Sequence, residues 1–158
     1  MRVREAAVED AEVVARLGAY IQEIHHENRP DWFKPTRAQD AVALYRELLT
    51  NSNVTTLLAE VGKDAVGFVM TKVSVMQKTP LVWEQTIVEV SQIGVAPSAR
   101  RSGVGRELFM AVRELADSIS VSCIQLTTWE FNAAAHRFFE SEGLDLQVRR
   151  LSMPYPAG

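Results

Sequence analysis

Ile93 to Arg106 reads I-G-V-A-P-S-A-R-R-S-G-V-G-R. An apolar strand end meets a proline, then adjacent arginines, then glycines spaced by a single residue, and an amphipathic run follows at once. With Ser102 to Gly105 as the first turn of a helix, their backbone N–H groups lack intrahelical partners and point outward with the positive end of the helix dipole. Phosphate oxygens satisfy such groups. Gly103 and Gly105 carry no Cβ to hold a ligand off the backbone, and Arg100, Arg101 and Arg106 add fixed positive charge suited to a pyrophosphate. The plainer alternative is an ordinary strand-to-helix loop with surface arginines, because short glycine motifs also arise by accident.

Familiar phosphate loops are excluded by the residues themselves. The stretch lacks the lysine of G-x-x-x-x-G-K-[ST], and its glycines do not make G-x-G-x-x-G. Composition narrows the ligand further. A chain of 158 residues with 47% apolar and 23% charged residues is one globular domain, 1–158, able to bury a core. A net charge of −3 argues against a nucleic-acid partner, so the arginines form a local cluster suited to a small anion. No apolar run reaches membrane-spanning length, and Met1-Arg2-Val3-Arg4 opens no secretory segment, so a cytoplasmic protein without a membrane partner is expected. Cys123 is the only cysteine and lies in an apolar stretch, which predicts a buried, inert thiol. Adjacent His25 and His26 point about 100° apart on a helix, so no metal site is expected from them, and they read as solvent-facing at a helix end.

Val3–Ala6 reads as a first strand, followed by a helix with Val13, Val14, Leu17, Ile21 and Ile24 on one face. Gly18 interrupts it. The loop from His25 to Pro35 holds Trp32 and Phe33, expected to plug the core or to line a substrate site. Thr36 is placed to cap a second helix striped by Ala41, Val42, Leu44, Tyr45, Leu48 and Leu49. Val54–Val61 and Ala65–Val75 form a hairpin, and Leu81–Val95 is a third β-rich run carrying Glu84, Glu89 and Gln92. A helix from Ser102 to about Ser118 leads to a strand at Val121–Trp129. Asn132 opens a further helix, Gly143 is placed as its left-handed cap, Leu146–Met153 reads as a last strand, and the tail from Pro154 reads as loose.

The turn reads R-x-x-G-x-G after a V-x-P strand end, and Asn132 to Leu144 reads N-A-A-A-H-R-F-F-E-S-E-G-L. In both motifs, in their order, the chain resembles the GNAT superfamily of acyl-CoA-dependent N-acetyltransferases. The resemblance covers nearly the whole chain and is strongest from Ile87 to Leu144. It implies an α/β fold in the order β-α-α-β-β-β-α-β-α-β. The sheet would be mixed and mostly antiparallel, with a central splayed parallel pair flanked by helices. Acceptor-side elements would fall at 18–50 and the acyl-CoA core at 87–144.

It further implies acetyl-CoA as co-substrate and a primary amine, on a small molecule or a peptide, as acceptor. No metal takes part, and a homodimer is the family expectation. Ile93, Gly94 and Val95 would hold the pantetheine arm. Arg100, Arg101, Ser102, Gly103, Val104, Gly105 and Arg106 would hold the pyrophosphate, while Asn132 and Phe139 would lie at the thiol end. For Asn132 a bond to its own helix explains the residue equally well.

Attack of an amine on a thioester needs a base and a donor for the developing oxyanion. Glu89, within I-V-E-V and six residues before Val95, matches the base of the histone-acetylating branch. The plain alternative is a solvent-facing glutamate on an edge strand, and Glu84 and Gln92 are reserves. Many relatives carry a tyrosine acid where this chain has Phe139, which has no proton to give. Water, Tyr45 or Tyr155 could take that part. Acidic Glu23, Glu27, Asp31 and Glu84 would favour a cationic acceptor. The competing readings are a non-catalytic acyl-CoA-binding sensor or assembly module and, more remotely, a nucleotide-binding α/β protein.

Overall fold

The computed structural model describes residues 1–154. Residues 155–158, Tyr155 among them, lie outside the described residues. Two compact units are distinguished, Met1–Thr127 and a second that begins at Thr128.

The first unit runs β1 (Arg2–Glu5), α1 (Ala11–Asn28), α2 (Ala38–Thr50), β2 (Val54–Val61), β3 (Asp64–Met76), β4 (Gln85–Val95), α3 (Val104–Ser118) and β5 (Cys123–Leu126). Its strands lie in the order β1-β2-β3-β4-β5, antiparallel except for the parallel pair β4 and β5. The mixed sheet expected from the sequence is therefore present.

Alternation along the strands decides which helix covers which face. On β3, Phe68 and Met70 bury against Val14, Leu17 and Tyr45 of α1 and α2. Gly67 faces the other way, where α3 comes so close that a Cβ would stand 2.8 Å from the Val104 side chain. Val104, Leu108, Phe109, Val112 and Ala116 form the buried stripe of α3. Burial of each large side chain in these two layers contributes about 1.5–3 kcal/mol before entropy is counted.

The second helical stripe is narrower than expected. Tyr45 is the one buried residue of α2, and Leu44 is exposed because consecutive helical residues point about 100° apart. Thr36 does not cap that helix. Arg37 is still extended (ψ 150°), so the first turn begins beyond reach of the Thr36 hydroxyl, which donates to the Lys34 carbonyl instead.

In the second unit α4 spans Ala133–Ser141. Asn132 accepts from the Ala135 N–H at 3.2 Å. Gly143 (φ +84°) follows the helix, with Gly143 N–H donating to the Glu140 carbonyl and Leu144 N–H to that of Phe139, which is the Schellman pattern. Leu146–Met153 forms no strand among the described residues. Its apolar residues change phase, with Leu146 and Val148 on one alternation and Leu151 and Met153 on the other, so no single strand face could bury all four, and all are exposed.

Candidate active site

β4 carries the centre of the site. Its register with β3 pairs Gln92 with Met70 and then Val90 with Thr71, so Ser91 is an extra residue, a β-bulge. The Ser91 hydroxyl donates to the Met70 carbonyl at 3.1 Å and holds the bulge in place. In a regular strand residues 89 and 92 would face opposite ways. The bulge turns both Glu89 and Gln92 to the face covered by α1 and α2, since their partners Lys72 and Met70 stand two apart on β3. Glu89 is half-buried and lies between β3 and β5, paired with Lys72 on one side and Gln125 on the other, not on an edge strand.

Beyond the bulge β4 loses a neighbour. Its pairing with β5 ends at Val90 and Leu126, while β4 continues to Val95. The Ala96 N–H donates to the Val66 carbonyl at 2.8 Å, which sets the alternation: Gly94 turns its backbone groups to β3, whereas Ile93 and Val95 turn theirs to the open side. The Val95 carbonyl accepts a long bond, 3.4 Å, from Arg100 Nε. Gly94 matters for packing, because a Cβ there would stand 2.9 Å from the Ile21 side chain.

The chain then makes a 3₁₀ turn at Pro97–Ala99 and enters α3 through Arg101 (φ +62°) and Gly103 (φ +87°). Gly103 occupies the N-cap position and supplies no side chain to cap the helix. The Ser102 hydroxyl is turned back to the Ala99 carbonyl at 2.7 Å, so it does not cap either. The helix therefore starts at Val104, two residues later than expected, with no side-chain cap at its N-terminus. Arg100, Arg101 and Arg106 are exposed around it. Val104 can offer a ligand its amide only, as its side chain is in the core. An open strand edge leading into an uncapped helix N-terminus flanked by arginines fits an extended, amide-bearing ligand that ends in a pyrophosphate.

On the same face as Glu89, Tyr45 donates its hydroxyl proton to Gln92 Oε1 at 2.8 Å. Burial pushes the Tyr45 phenol up, with the Gln92 bond pulling more weakly the other way. The hydroxyl passes beneath Gly18 of α1, where any Cβ would land on it. The sequence names all three residues but does not join them; the glycine inside an apolar helical stripe is the one signal of a close approach.

Other expectations are corrected. Cys123 is exposed, because β5 is an edge strand and Cys123 and Gln125 share its uncovered face. Trp32 is 68% exposed with the Arg29 guanidinium 5.9 Å from its ring, and does not plug the core. His25 stacks on Phe33 with ring centroids 4.7 Å apart, and burial lowers its pKa. His26 Nδ1 donates to the Phe33 carbonyl at 2.8 Å, so the histidines anchor the loop instead of facing solvent. Asp31 is ion-paired with Arg29 at 2.8 Å and adds little free negative charge. In the second unit the Asn132 oxygen is engaged in the α4 cap, and Phe139 is buried edge-on to Phe138 at 5.1 Å. No cluster of metal-binding side chains occurs among the described residues.

Residues 21–144 match the acetyltransferase (GNAT) family, and the chain belongs to it. A relative described as an uncharacterized N-acetyltransferase, YhfO of Bacillus subtilis, is 26% identical over 148 residues, covering 92% of this chain and 90% of that protein. Among solved structures, a tetramutant of the BH1408 protein of Bacillus halodurans superposes with a TM-score of 0.93 at 25% identity, covering 98% of this chain and all of that one. The aminoglycoside N-acetyltransferase AAC(6')-Iy, solved with CoA, shares the fold with a TM-score of 0.76 at 17% identity, over 99% and 95% of the two chains.

Proposed function

We propose that the protein transfers an acetyl group from acetyl-CoA to a primary amine by direct attack in a ternary complex. The observation that carries this reading is the continuity of the open β4 edge at Ile93 and Val95 with the N-terminus of α3, which no side chain caps. The edge offers amides to a pantetheine arm as an added strand would, and the turn from Arg100 to Arg106 offers amides and guanidinium groups to the pyrophosphate. AAC(6')-Iy, which shares this fold, was solved with CoA.

Glu89 takes a proton from the acceptor's ammonium group, directly or through one water, and the freed amine attacks the thioester carbonyl. The carbon–sulfur bond then breaks, the thiolate leaves, and the nitrogen gives its remaining extra proton to water, leaving the neutral amide. Phe139 has no proton for it, but a thiolate with a pKa near 8.5 needs protonation less than an alkoxide does. Exposed Cys123 stands opposite Ile87, and it is assigned no part in the transfer.

Release of free CoA thiol with an amine panel tests the reading. Glu89→Gln is expected to lower kcat/KM by about 10²–10⁴. Cys123→Ser is expected to leave the rate within about twofold and to show no acyl-enzyme burst. If no amine accelerates thiol release and Glu89→Gln changes nothing, the protein is an acyl-CoA-binding module, a reading that Phe139 favours.

A further inference from the structure

A cleft of about 220 Å³ opens between α1 and α2, lined by small side chains that include Ala15, Ala19 and Ala41, by Gln22 and Arg37, whose charge is paired with Asp40 at 3.0 Å, and by Tyr45 and Gln92 as its floor. Its floor is built, not incidental. Tyr45 is 7% exposed and reaches Gln92 only because position 18 of α1 is glycine, although glycine costs a helix about 1 kcal/mol relative to alanine. Gln92 lines the cleft, and with its oxygen held by the Tyr45 hydroxyl its NH₂ group is left to donate, making no hydrogen bond to protein among the described residues. The Tyr45 oxygen keeps a lone pair beside it. The floor thus presents a donor and an acceptor side by side, and neither carries charge.

The Ser91 bulge sets this floor on the same face as Glu89, at most roughly 10 Å away along β4. We infer that the Tyr45–Gln92 pair is a specificity element of the acceptor site. It selects primary amines that carry a neutral hydrogen-bonding group, a carboxamide, at the far end of a spacer of about five or six carbons. A carboxamide matches the floor in both directions, its carbonyl accepting from Gln92 and its NH₂ donating to Tyr45. A carboxylate satisfies only the first. The inference rests on the acetyltransferase reading for the position of the amine, but not for the cleft itself.

Two measurements on the full chain test it. In the first, the ¹H–¹⁵N side-chain amide signals of Gln92, assigned by their loss in Gln92→Leu, are followed during titration with 6-aminohexanamide and with hexylamine. The amide is expected to shift them saturably and hexylamine is not; equal or absent shifts overturn the inference whether or not the protein turns over. In the second, kcat/KM is compared for the same two amines and for 6-aminohexanoic acid. The wild type is expected to prefer 6-aminohexanamide about tenfold over hexylamine and over 6-aminohexanoic acid, and Tyr45→Phe to reduce that ratio to about twofold or less. A ratio that Tyr45→Phe and Gln92→Leu both leave intact, in variants with wild-type melting curves, refutes the specificity role while leaving the acetyltransferase reading standing. Failure of every amine to release thiol removes that reading, and the titration alone then decides the cleft.

Discussion

Substitution of Gly18 by alanine isolates the close approach of α1 to Tyr45. The new Cβ would fall on the Tyr45 hydroxyl and stand 2.8 and 3.2 Å from ring carbons behind it, so the phenol must move. Overpacking of this kind costs about 1–3 kcal/mol. Displacing the hydroxyl also forfeits the bond to Gln92, about 1 kcal/mol net. Against these, alanine favours the helix by about 0.8–1 kcal/mol. The balance is a loss of about 2 kcal/mol, or roughly 4–8 °C in Tm for a chain of this size. Tyr45→Phe alone should cost about 1 kcal/mol. The double variant has lost the hydroxyl, the worst of the clashes, and the bond that would be broken, and keeps only the tight approach to the ring carbons, so it should be only about 1 kcal/mol less stable than wild type instead of about 3. Urea unfolding of the four proteins, with m-values compared, measures the coupling. Additivity within about 0.5 kcal/mol would show that Gly18 and Tyr45 do not meet, and the reasoning about the cleft floor would fail.

Gly103→Ala should destabilise the fold by about 1–2 kcal/mol in urea unfolding, since φ +87° strains a non-glycine residue even though a Cβ there meets nothing within 4 Å. Arg4 donates to Asp10 at 2.8 Å and to Glu60 at 2.7 Å, and its hydrogen bonds hold the Asp10 carboxyl below the usual carboxylate range. A depressed folded pKa adds stability above the unfolded value and loses it as pH falls through the folded one. Arg4→Met should therefore destabilise by about 1 kcal/mol near pH 7 and by much less near pH 2, read from chemical denaturation at both. Asn132→Ala should cost α4 about 1 kcal/mol and speed amide exchange along it, whereas Asn132→Asp, which keeps the capping oxygen, should not.

Much of the proposed donor site is legible in one dimension because it is made of backbone. A strand end, a proline, arginines and glycines in that order specify an uncapped helix start, and local conformation is written in local residues. The cap chemistry of Asn132 and Gly143 is readable for the same reason. Strand faces are not. Glu89 and Val95, six apart, would share a face in an unbroken strand, and the bulge at Ser91 sets them on opposite faces. No residue pattern announces that bulge, since serine occurs in regular strands as well. Exposure of Cys123 and Trp32 likewise depends on where the sheet ends and where the loop turns, neither of which local composition specifies.

The order of strands and helices as far as α4, the family and the glycine turn before α3 follow from residues acting on near neighbours, through hydrophobic period and φ restriction. Tertiary packing alone joins Gly18, Tyr45 and Gln92, which lie on α1, α2 and β4. Their meeting depends on the distance between packed helices and on one inserted residue in a ladder, and both are set by contacts between segments far apart in the chain. The turn proposed to hold the donor was therefore visible before folding, whereas the cleft proposed to choose the acceptor exists only after it.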